Sequence, residues 1–90
     1  MDAMIMAIVQ CVVPGRHGPF AVATSEGIEG SITFSLSKSV WREQQKPEEG
    51  IVVILSDLRL KRAGWRAMSA RFVRPADQQR AIQKQERKEL

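Results

Sequence analysis

Residues 31–36, Ser-Ile-Thr-Phe-Ser-Leu, alternate without a break. Ile32, Phe34 and Leu36 share one side, and Ser31, Thr33 and Ser35 the other. A period of two marks a strand with one face buried and one wet. The rest of the chain divides into runs of similar length. Residues 4–13 (MIMAIVQCVV) are rich in β-branched side chains and stop at Pro14-Gly15. The loop PGRHGP leads into a second strand, FAVATS, and EGIEG makes the turn before the third. Residues 51–58 (IVVILSDL) are almost continuously apolar, as a strand with little solvent on either face requires. KRAGWR then predicts a hairpin with Gly64 at its tip, and WRAMSARFV a fifth strand.

Between the third and fourth strands lies a polar stretch, residues 37–50, ending at Pro47 and Gly50. Ser37 is placed to cap a short helical turn carrying Val40 and Trp41, which suits a plug at a barrel end. Five short strands predict an all-β fold, a small OB-like barrel over residues 1–75, because closure removes exposed sheet edges. An SH3-like barrel is the alternative, since strand lengths alone do not set the pairing order. From residue 76 to 90 Ala, Gln, Glu, Lys and Arg dominate. This predicts a polar C-terminal helix or a disordered tail, with Ile82 and Leu90 its main apolar anchors.

A chain of 90 residues makes one small domain. One cysteine, Cys11, excludes an internal disulfide, and no Cys/His spacing suits zinc, so a cytoplasmic location is expected. The apolar N-terminal run is shorter than the roughly 20 residues a membrane helix needs, and it lacks the cation of a signal peptide. Catalysis is not expected either. Cys11 with His17 is the one available nucleophile–base pair, and Cys11 sits in an apolar strand. Glu26, Glu29, Glu48 and Glu49 lie in turns or loops, where no apolar pocket separates their pKa values. No cofactor or metal is implied.

Charge is the remaining signal. The net charge is +4, yet residues 59–74 carry six cations and no acid, while the remainder sums to −2. That segregation points to a polyanionic partner. Alternation along the fifth strand predicts Met68, Ala70 and Phe72 facing the core, with Arg66 and Arg74 snorkelling at the rims. Trp65, Ala67, Ser69, Arg71 and Val73 then face outward. The expected function is non-catalytic binding of single-stranded RNA or DNA. Lys61, Arg62, Arg71 and Arg74 would hold phosphates and an exposed Trp65 would hold a base. Phe20 and Arg59 would contribute less, and Arg66 would serve either phosphate or rim. Arg16 and His17 occupy a glycine-flanked loop that in OB folds often borders the ligand surface, but the signal is weak and a plain solvent-exposed histidine is expected there. The alternative function is a small regulatory module that docks its hairpin and tail on an acidic protein surface of a transcription or translation machine.

The order of these pieces resembles the cold-shock domain, a five-stranded member of the OB barrels. GPFAVA stands where that family has a KGFGFI-like second strand, and GSITFSL where it has a VFVHFS-like third strand. PEEG closes the long loop, and GWRAMSARFVRP matches a GxxAxxV pattern followed by Pro. The similarity spans about residues 5–75 and implies base stacking on aromatics of the second and third strands. Phe20 matches one such position. Ser31 and Thr33 stand at others, and Phe34 faces the core by its alternation. A sparse platform implies modest affinity.

Overall fold

The computed structural model describes residues 4–75 and Asp77; the expected tail over 76–90 lies, Asp77 aside, outside the described residues. Five strands form: β1 (Ile5–Val13), β2 (Phe20–Ser25), β3 (Ile28–Ser35), β4 (Val52–Lys61) and β5 (Gly64–Phe72). They close into an all-β barrel in the order β1-β2-β3-β5-β4. The run β4-β1-β2-β3 is antiparallel throughout and has the spatial order of a Greek key. β5 closes the ring, antiparallel to β4 along its length and parallel to β3 at two residue pairs, Ile32–Trp65 and Thr33–Arg66.

Beyond Thr33 the strands β3 and β5 part, and residues 37–41 fill the gap. The backbone N–H groups of Val40 and Trp41 both donate to the Ser37 carbonyl, at 3.0 and 2.8 Å. This is the predicted helical turn. Ala70 N–H donates to the Val40 carbonyl, and Trp41 bridges to Ala70 as a short parallel partner. The Trp41 indole is 3% exposed, and its Nε1 donates to the Gln45 carbonyl at 2.8 Å. Its ring stands edge-on to Phe72 with centroids 4.8 Å apart. The indole is the plug, with its one polar atom satisfied.

Inside, small and large side chains alternate, as a tapering barrel requires. Ala21, Ala23 and Ala67 face Ile32, Phe34, Val53 and Leu55, all fully buried. Most of β4's first half is buried as expected, but Ile51 and Val52 are exposed. With Met4, Met6 and Ile8 they form an apolar stripe where β1 and β4 begin.

The predicted faces of β5 hold for only half the strand. Ala70 is buried as expected, but so is Ala67, three residues earlier, while Arg66 and Ser69 are exposed. No regular strand puts i and i+3 on one side. The face switches near Met68, which the register sets against Asp57. Asp57 has φ +53°, and β4 changes face there too, from Leu55 inward to Leu58 inward. A left-handed residue gives the twist that lets both strands bend around the barrel while staying in register. Trp65, expected to stand free in solvent, is therefore half-buried and packed against the core.

Candidate nucleic-acid interface

On the outer face, β2 and β3 pair Phe20 with Ser35, Val22 with Thr33, and Thr24 with Ser31. Arg66 on β5 lies beside Thr33 in the same cross-strand row. Around Phe20 this face deepens into a cleft of about 310 Å³. One wall is the β1–β2 turn, from Gly15 to Pro19; the other is the β4–β5 hairpin, through Ala63 and Arg66.

Local geometry sets both walls. Gly15 N–H donates to the Gly18 carbonyl at 3.1 Å, and Gly18 N–H to the Gly15 carbonyl at 3.2 Å. The reciprocal pair leaves Arg16 and His17 at the tip of a tight turn, which Gly18 permits with φ +108°. Across the cleft, Lys61 pairs with Gly64, so Arg62 and Ala63 form a two-residue turn and Gly64 follows it rather than occupying its tip. Lys61, Arg62 and Ala63 are all exposed. The lining includes Arg16, His17 and Arg66 and no carboxylate. Lys61 and Arg62 add two exposed cations to the hairpin beside the cleft.

The structure thus divides the predicted site. Phe20 and Arg66 line the cleft, and Lys61 and Arg62 stand next to Ala63 in the hairpin that walls it. Trp65 is adjacent in sequence, but its side chain turns inward and its carbonyl accepts a long 3.5 Å hydrogen bond from Thr33. Arg59 makes a surface ion pair with Asp57 at 3.3 Å. Arg71 lies near the far end of β5, about 17 Å from Arg66 at the usual rise per residue, and Arg74 follows the strand.

Arg71 is also already engaged. Its Nη1 donates to Asp77 at 2.8 Å and to the Phe72 carbonyl at 3.1 Å, and its Nη2 donates to the other Asp77 oxygen. The hydrogen bond to Asp77 raises the guanidinium pKa above its ordinary value; partial burial opposes this, and the charges of Asp77 and Glu43 add to the rise. Asp77 also accepts the Arg74 N–H at 2.9 Å. Arg71 works as a clasp that ties Asp77, just past the end of β5, to the barrel. Charge counting along the chain finds the six cations of one segment correctly, but strand length spreads them over both ends of the barrel. Arg16 and His17 carry little weight in the sequence because a glycine-flanked loop is a weak signal by itself.

No protein-family model, curated protein or solved structure matches this chain. No helix among the described residues is long and apolar enough to cross a membrane, and no described group of His, Cys, Asp or Glu is arranged to hold a metal ion.

Proposed function

We propose that this barrel is of the OB type and binds single-stranded RNA or DNA without catalysis, in the cleft around Phe20. The Greek-key order favours the OB over the SH3-like alternative. One observation carries the functional reading: the cleft lies on the β2–β3 face between the β1–β2 and β4–β5 turns, where OB barrels take oligonucleotides. Arg16, Lys61, Arg62 and Arg66 supply charge for phosphates, and Phe20 supplies a face for a base. The test is titration with a single-stranded oligonucleotide between about 50 and 200 mM salt. Four phosphate contacts at roughly 0.7 each give a log–log slope of about −3. A protein that binds nothing at the lower salt is not a single-strand binder.

A second reading, a regulatory protein-interaction module, draws support from the stripe of Met4, Met6, Ile8, Ile51 and Val52, each at least 36% exposed. It lies at the opposite end of β1 from the cleft. Contiguous exposed apolar surface of this kind marks protein contacts. Loss of a pulled-down partner on Met6→Lys, with oligonucleotide binding intact, is the result this reading requires.

A further inference from the structure

We propose that the cleft is a one-base site: a bound strand places a single base on Phe20, and its other nucleotides are held through their phosphates alone. The inference rests on the single-strand reading above and fixes how that strand is recognised.

The aromatic inventory decides it. The chain has three phenylalanines, two tryptophans and no tyrosine. Phe34 and Trp41 are buried, and Trp65 and Phe72 pack against the core. Phe34 also lines the cleft floor, but it is fully buried with its ring against Trp41, so Phe20 is the ring that the outer face of β2 and β3 offers. The rows that would carry further bases hold Val22, Thr24, Ser31 and Thr33, which offer no ring. Gln10 Nε2 also donates to the Thr24 hydroxyl at 2.8 Å, occupying part of that surface.

Shape agrees with chemistry. At about 310 Å³ the cleft is at the small end of ligand pockets, roughly 300–1,000 Å³, and has room for one nucleotide-sized group. The two turns bound it, so a neighbouring base has to leave over a turn tip. There Arg16 on one side and Arg62 on the other meet the backbone. Beyond the first base, affinity comes from charge.

The experiment compares tetrathymidylate, about the shortest strand that one OB barrel covers, with tetramers in which three or all four nucleotides are abasic. Binding is followed by backbone amide shifts in the full chain. Removing three bases should cost at most about fourfold, the number of bases that compete for one site. Removing the last should cost roughly 5- to 150-fold, the worth of one stacked base. Phe20→Leu should abolish that final step and leave the fully abasic strand bound as before. A loss clearly above fourfold on removing the first three bases, about 20-fold or more, means that a second base stacks, and overturns the inference while leaving single-strand binding intact. A costless last base means that none enters the cleft, and also overturns it. Absence of binding by intact tetramers and longer strands removes both this inference and the reading beneath it.

Discussion

A Cβ on Gly15 would stand 3.0 Å from Cδ1 of Phe20 and 2.6 Å from the Gly18 carbonyl oxygen. The one ring that the outer face offers is seated on a stretch of backbone with no room for a side chain. Gly15→Ala should therefore push the turn and the ring apart, at about 1–3 kcal/mol of stability, the usual cost of overpacking. Oligonucleotide affinity should fall by more than that loss of folded protein explains. Gly27→Ala is the control, since its Cβ would meet nothing within 4 Å. Urea melts and binding curves on both variants check the pair; equal behaviour of the two would separate Phe20 from the turn.

Arg66 and Arg71 lie five residues apart on one strand, yet they should fail in different ways. Arg66→Ala should weaken binding uniformly across base sequences and reduce the salt slope by about 0.7. Arg71→Ala should leave the slope unchanged in the folded fraction. Salt titrations of the two variants measure the contrast, and an equal change in slope would return Arg71 to the phosphate set.

The Arg71–Asp77 clasp should instead be visible in stability. Its side chains are 26% and 13% exposed, so the pair is partly shielded from solvent. Arg71→Ala should cost about 1–3 kcal/mol, and a double-mutant cycle with Asp77→Asn should show strong non-additivity. The pH dependence follows from the raised pKa of Arg71. A cation whose pKa rises on folding stabilises fully below its unfolded value and loses that stabilisation only as pH climbs through the folded one. Both lie far above neutrality, so Arg71's own titration should add no pH dependence between about pH 6 and 9. Thermal melts across that range test this.

Trp41 should be the most sensitive position in the barrel. Removing a buried aromatic costs about 3–5 kcal/mol, a large share of what a domain of this size has. Trp41→Ala should be largely unfolded by circular dichroism. Trp41→Phe should fold but lose about 1–2 kcal/mol, because the Gln45 carbonyl loses its donor. A stable Trp41→Ala protein would mean that the 37–41 turn does not plug the barrel.

At Asp57, φ +53° selects among substitutions. Asp57→Asn and Asp57→Gly should be nearly neutral, since both residues enter the left-handed region readily. Asp57→Val should cost about 1–3 kcal/mol, as a β-branched residue held in a sparsely populated region does. Chemical denaturation orders the three variants.

Alternation and turn chemistry make the five strands legible in the amino-acid sequence, together with the Val40–Trp41 plug and the inward face of Phe34. Those are local properties: period two, and glycine or proline at the breaks. The concentration of positive charge is legible for the same reason, since it is a property of the chain read in order. Three features belong to the tertiary structure alone. Closure of β5 onto β3 brings the hairpin beside the β1–β2 turn, and so makes a cleft from Arg16, Phe20 and Arg66, residues up to 50 positions apart. A switch of faces along β5, between buried Ala67 and buried Ala70 and opposite the left-handed Asp57 of β4, leaves Trp65 packed inward where strict alternation puts it outward. And Asp77, six residues beyond Arg71, returns to pair with it at 2.8 Å. A sequence shows which residues carry charge and which alternate; only the closed barrel decides which of them meet.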